Sequence, residues 1–177
     1  MSDINSNVKV YVITHVPCDF LQSDIFVPVA TNKSLGNQLN IMSSDQGENL
    51  GNLNYLLAEF STFYWVWKND KTSRFIGFNH FRRYFLLNEN NTSNQTGQYI
   101  PKDCGWTNDY VINTFKDYDI ILPTRLNFYS ATVYQQYCSC HEQRIIDALI
   151  KLINEKYPEY IDAVSYTHLT LPTTILV

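Results

Sequence analysis

Charge is scarce in this 177-residue chain, where Asp, Glu, Lys and Arg make up 17% and the formal net charge is -4. Without a sequence-wide basic field, nucleic acid is excluded as a main partner. No run approaches the roughly 18 continuous apolar residues that span a bilayer. The opening MSDINSNVKV also lacks the charged-then-apolar order of a signal peptide, so a cytoplasmic chain with no transmembrane segment is expected. Cysteine is sparse too: Cys18, Cys104, Cys138 and Cys140 form no disulfide framework. Cys138, Cys140 and His141 lack a second ligand pair at zinc spacing, so no structural zinc is expected.

What is present is a hydrophobic content of 45%, enough for one well-buried domain and short for two. Val8–Thr14, VKVYVIT, is a run of β-formers suited to a buried strand of a parallel sheet. In a nucleotide-binding α/β domain the carboxyl end of the first strand faces the ligand, which makes Thr14 and His15 candidates for base or ribose contacts. An ordinary strand exit fits them equally. Phe26–Ala30 is apolar but carries Pro28, which confines it to an edge or a loop. From Thr31 to Asn54 the chain is rich in Asn, Ser and Gly and reads as a long loop, the kind that is often functional.

The chain is organised around Leu53 to Phe85. Leu53, Leu56, Leu57, Phe60, Tyr64 and Trp67 recur at helical spacing, with Phe63 widening the stripe, and predict a helix buried against a sheet. Asn52 stands where its N-cap would be and Lys68 in its last turn. Arg74 to His80 then predicts a short strand, with Gly77 permitting close backbone approach. At its carboxyl end Asn79, His80, Arg82 and Arg83 gather among Phe81, Tyr84 and Phe85. Two adjacent arginines there suit a diphosphate, since each guanidinium offers a planar fork of donors. A plain surface face with its stems over apolar rings is the competing interpretation.

Further on, residues 88 to 98 form a polar low-complexity insertion, expected to be a loop. Tyr110 to Phe115 predicts a short helix and Tyr118 to Pro123 a buried strand. Ser130 to Tyr160 predicts a helical stretch whose Ile145, Ile146, Leu149, Ile150, Leu152 and Ile153 pack on the sheet.

GENLGNLNYLLAEFSTFYWVWKN followed by FIGFNHFRRYF resembles the signature of the bacterial family known as domain of unknown function 4422, whose members look like glycosyltransferases of capsular and exopolysaccharide gene clusters. The match runs through Asn49, Glu59, Tyr64, Trp65, Trp67, Lys68, Asn69, Gly77, His80, Arg82, Arg83, Tyr84 and Phe85. Phe60, Ser61, Phe78 and Phe81 replace the family's usual Leu, Thr, Leu and Tyr. The likeness covers residues 8 to 163.

The resemblance implies an α/β fold, a mixed, mostly parallel sheet flanked by helices of the glycosyltransferase A type. It implies transfer of a hexose from a nucleotide sugar, UDP-hexose foremost, to a glycan or lipid-linked glycan acceptor at the inner face of the membrane. His80, Arg82 and Arg83 are the expected catalytic residues, with Glu48 and Asp45 as loop carboxylates able to act as base. Thr14, His15, Asn49, Glu59, Asn79 and Tyr84 are the expected substrate contacts. Asp117 and Asp119 form an Asp-x-Asp of the sort that holds a divalent cation on a diphosphate. They precede a predicted strand rather than follow one, so no metal is assigned, and His80, Arg82 and Arg83 are expected to neutralise the leaving diphosphate instead. The alternatives are a non-catalytic nucleotide-sugar or glycan-binding module and an inactive truncated fragment.

From Val164 to Val177 the text changes to VSYTHLTLPTTILV, with no Lys, Arg, Asp or Glu. Its reverse translation is compatible with a transposon-end adapter, so residues 164–177 are expected to be non-native. The glycosyltransferase-like domain is then expected to span 1–163, incomplete at its C-terminus.

Overall fold

The computed structural model describes residues 8–21, 23–85, 104–123, 125–164 and 172–176, of which 125–130 and 172–176 are described by their backbone. The predicted insertion at 88–98 lies outside them. The chain divides into two compact units, Met1–Asp119 and Ile120–Val177.

The first unit is built on a parallel sheet of order β3-β2-β1-β4, where β1 is Val8–Thr14, β2 Phe26–Ala30, β3 Met42–Ser43 and β4 Phe75–His80. The β-branched run of β1 sits at its centre, buried on both faces as parallel strands are. Val8, Val10 and Val12 pack one face against Leu21, Phe26, Phe81, Cys104 and Val111. Tyr11 and Val29 pack the other against Val66. On the first face lies helix α4, Asn108–Thr114, capped by the Thr107 hydroxyl on the Tyr110 amide. The predicted helix at 110–115 is therefore present.

β2 is an inner strand rather than an edge. Pro28 is tolerated because β3 pairs only with Val29 and Ala30, leaving the outer side of Pro28 bare. The predicted loop from Thr31 to Asn54 is also corrected. It contains helix α1, Lys33–Leu39, started by the Asn32 side chain on the Leu35 amide and stopped by Asn40 in the left-handed conformation (φ 54°), and then β3. Polar capping residues give this stretch a loop-like composition although they delimit a helix.

The long helix over 53–68 divides into a 3-10 turn at Gly51–Leu53, helix α2 at Asn54–Leu57 and helix α3 at Glu59–Asn69. Ala58 breaks it with φ 46° and ψ -127°, and Asn52 caps nothing. Of the predicted stripe, Leu56, Phe60 and Trp67 face outward, 69%, 69% and 65% exposed, while Phe63 keeps its place against the sheet. The buried residues of α3 on the sheet side are Ser61, Thr62 and Val66, flanked by Phe63 against Phe78 of β4 at 4.2 Å and by Trp65 edge-on to Tyr11 of β1 at 6.4 Å. The sheet beneath already carries large rings, Tyr11 stacked on Phe78 with centroids 6.2 Å apart, so small side chains let the helix approach. A buried hydrogen bond of 2.9 Å between Ser44 and Thr62 hydroxyls satisfies the polar atoms of that contact.

Asp70 joins α3 to β1 and shapes the turn into β4. Its carboxylate accepts from the Tyr11 hydroxyl at 2.7 Å and from the Thr72 and Ser73 amides, and Lys9 lies 3.7 Å away. Burial alone would raise its pKa, but hydrogen bonds from Ser73, Thr72 and Tyr11 outweigh this and hold it well below the usual carboxylate range.

The second unit contains β5 (Arg125–Thr132) paired antiparallel with β6 (Pro172–Leu176), and helices α5 (Val133–Cys140), α6 (Gln143–Lys156) and α7 (Ile161–Val164). A capping box of Thr132 and Gln135 starts α5. The helical expectation for 130–160 is met, but Ile146 alone on α6 is buried, while Ile145, Leu149 and Leu152 are about half exposed. The predicted strand at Tyr118–Pro123 is absent. Its Tyr118 and Ile120 are 66% and 64% exposed, and no described strand pairs with it, so β-forming composition is left without a ladder.

Candidate functional site

The strand order places a switch point between β1 and β4. From β1 the chain moves outward to β2 and β3, then returns to the opposite side of β1 as β4. Ligands of open α/β sheets bind where such a reversal opens a crevice at the carboxyl ends. His15 follows β1 at that edge, and His80 ends β4 opposite Ile13. The ladder runs one bond further, from the Phe81 amide to the Ile13 carbonyl at 3.0 Å.

Buried Phe81 is the platform between the two imidazoles, its centroid 5.4 Å from that of His15 and 4.3 Å from that of His80. Glu59, the first residue of α3, reaches the same place from above, with Oε1 3.6 Å from His80 Nε2. One ligand-type atom from each of His15, Glu59 and His80 lies within 4.8 Å of the others, and among the described residues this is the one group of three or more metal-ligating side chains. Cys138, Cys140 and His141 form no such group.

The backbone that aims Glu59 is strained. Ala58 adopts a conformation that residues with a Cβ rarely take, at a cost of order 1–3 kcal/mol. It is held by its amide on the Asn54 carbonyl at 2.8 Å, and the Ser61 hydroxyl lies 2.8 Å from both the Ala58 carbonyl and the Asn54 carboxamide. His15, Thr31, Asn54, Ala58 and Glu59 line a pocket of about 270 Å³ beside this corner.

His80 itself is held by the turn that follows it. The Arg82 amide donates to His80 Nδ1 at 3.2 Å and the Arg83 amide to the His80 carbonyl at 2.8 Å. Burial lowers the pKa of His80, the nearby Arg82 charge lowers it further, and Glu59 opposes both, so the ring is neutral at pH 7. Arg82 and Arg83 are exposed, the Arg82 guanidinium lying 5.3 Å from the Phe81 centroid. Among the described residues neither has a carboxylate within 4.0 Å, so no carboxylate there engages their guanidinium donors.

The other expected contacts are differently employed. Asp45 accepts from the Lys33 amide at 2.7 Å and so closes the start of α1. Glu48 accepts from the Tyr64 hydroxyl at 2.8 Å and pairs with Lys68 at 3.1 Å, contacts that lower its pKa. Asn49 bonds the Gly47 carbonyl and the Gly51 amide within its own turn. Thr14 is fully buried and turns the chain after β1 by donating to the Val16 carbonyl and accepting the Val16 amide. Tyr84 packs on Phe26 and accepts from the Leu21 amide, and burial raises its pKa. Asn79, 5% exposed, alternates to the sheet face opposite His80, and its Nδ2 has no partner. Asp117 and Asp119 are exposed in a segment that forms no strand. Thr31, Asn54 and Ala58 were missed from sequence, where ordinary composition gives no sign of a pocket.

Comparison with known proteins follows the same geometry. The family model described as a domain of unknown function, DUF4422, matches residues 9–172. Among solved structures the chain is similar to the apo structure of WbbM, a bifunctional glycosyltransferase, with 26% identity and a TM-score of 0.63 over 92% of this chain. It spans 31% of that protein's length. No match to the chain is found among curated proteins. The expected α/β fold, a mostly parallel sheet flanked by helices, is thus observed, in a chain similar to a glycosyltransferase.

Proposed function

We propose, from the premise that the chain belongs to the DUF4422 family, that it transfers a hexose from a nucleotide sugar, a UDP-hexose, to the precursor of a bacterial surface polysaccharide. The observation that carries this is the pair Arg82 and Arg83, exposed and, among the described residues, without carboxylate partners, at the carboxyl edge of the switch point. The likeness to a glycosyltransferase supports reading that pair as the site of a diphosphate.

In this reading the two guanidiniums grip the diphosphate of the donor. As the acceptor hydroxyl oxygen bonds to the sugar's anomeric carbon and its proton passes to solvent, the bond from that carbon to the leaving phosphate breaks. The electron pair stays on the nucleoside diphosphate, where fixed positive charge stabilises it more in the transition state than in the donor. Arginine supplies this charge without a metal ion, and in this reading transfer proceeds without a divalent metal.

The test is a panel of UDP-, GDP- and dTDP-hexoses offered with a lipid-linked glycan acceptor, following nucleoside diphosphate release and product mass. One donor is expected to be consumed and its hexose found on the acceptor, with EDTA making little difference. Consumption of none contradicts the proposal. A severe loss with EDTA, restored by manganese, contradicts the metal-free part of it.

A further inference from the structure

The pocket beside Ala58 has a chemistry different from that of the arginine pair. Its volume of about 270 Å³ falls below the roughly 300–1,000 Å³ of pockets that enclose a drug-sized ligand. It therefore takes one ring rather than a whole nucleotide sugar. Its polar groups are a carboxylate, a carboxamide, a hydroxyl and an imidazole, from Glu59, Asn54, Thr31 and His15. A carboxylate repels phosphate, so a diphosphate is directed towards Arg82 and Arg83. An ionised carboxylate is, by contrast, an acceptor-only group with two oxygens, suited to two neighbouring hydroxyls. Glu59 is also the first residue of α3, an 11-residue helix, which fixes its backbone at the pocket wall.

The same residues have the types of a metal site, and one hydrogen bond argues against that use. A ligating histidine gives its second ring N–H to an acceptor. His80 instead receives a donor there, the Arg82 amide at Nδ1. In the neutral ring the proton then sits on Nε2, the atom that faces Glu59, and a protonated nitrogen has no lone pair for a cation. Two arginines in the adjoining turn add positive charge close by.

We infer that the pocket of His15, Thr31, Asn54, Ala58 and Glu59 is a subsite for a vicinal diol on a sugar ring, with Glu59 accepting the two hydroxyls and His80 positioning its carboxylate. The diol belongs to the donor's ribose or to its hexose. The strained Ala58 corner is what sets Glu59 at the pocket wall. The inference rests on the nucleotide-sugar reading and deepens it.

Calorimetric titration of the chain with inorganic pyrophosphate, UDP, 2′,3′-dideoxy-UDP and UDP-glucose separates the possibilities, in the native chain and in Glu59→Gln, which keeps the shape of the side chain. Pyrophosphate should bind both chains alike. If the ribose is held, UDP loses about tenfold in affinity on E59Q, as does dideoxy-UDP on the native chain, and the two losses do not add. If the hexose is held, UDP is indifferent to E59Q and the extra affinity of UDP-glucose disappears. Equal binding of UDP and UDP-glucose by both chains overturns the subsite while leaving the donor reading intact. Stoichiometric binding of manganese or zinc that His80→Ala abolishes overturns it in favour of a metal site. If none of the four probes binds the native chain, the donor reading fails and the subsite with it.

Discussion

Two groups of polar residues stood out in one stretch of sequence, and the molecule treats them differently. In the loop before α3, Asp45 Oδ2, Glu48 Oε1 and Asn49 Oδ1 are engaged by the Lys33 amide, by Tyr64 with Lys68, and by the Gly51 amide, while Asp45 Oδ1 is buried without a partner among the described residues. At the end of β4, Arg82 and Arg83 have no carboxylate among the described residues, and Glu59 faces a pocket with only a 3.6 Å approach from His80. The loop group spends most of its hydrogen bonds on the fold; the strand-end group keeps more of its own for something else. A candidate site is better recognised by unspent hydrogen-bonding capacity than by residue type.

Among single substitutions, His80→Ala should break this contrast most severely. Removing the ring frees Glu59 and the turn that carries both arginines, and transfer should fall about 100-fold, as misplacement of reacting groups does. Donor turnover and circular dichroism together check this, since the helical signal should stay unchanged. Asp70→Asn sharpens the contrast from the structural side. The depressed pKa means that Asp70 contributes stability above about pH 3.9, the ordinary aspartate value, which is lost as pH falls through its folded value. Urea unfolding should show the variant weaker by about 2 kcal/mol at pH 7, with a flatter dependence on pH in the acid range. Asp45→Ala should be milder, destabilising by about 1 kcal/mol through the start of α1 and leaving transfer unchanged below the unfolding temperature. If D45A abolished transfer in a folded chain, the loop would have to be counted with the site.

The parts of the fold legible in the sequence were those fixed by local chemistry. Val8–Thr14 and Phe75–His80 were legible because β-branched and aromatic residues in short runs have few other uses in a sheet. The buried face of α3 was not, because Ser61 and Thr62 are small and polar, and their role depends on Tyr11 and Phe78 lying beneath them. Nor was α1, whose Asn caps look like loop residues until the helix between them is seen. At the site, His15, Glu59, His80 and the two arginines were named from sequence, and the fold brings the first three within reach of one another. The pocket at Ala58 had no signal, since a positive φ at alanine is a property of the surrounding hydrogen bonds rather than of the residue.

The central claim is that Arg82 and Arg83 hold the leaving diphosphate, and the most direct measurement compares donor turnover by the native chain and the double variant Arg82→Ala, Arg83→Ala. Both side chains are exposed, so the fold should survive and circular dichroism should be unchanged. The account predicts that transfer falls by at least about 100-fold, the scale of losing fixed donors to a developing negative charge. Transfer by the double variant at the native rate would contradict it.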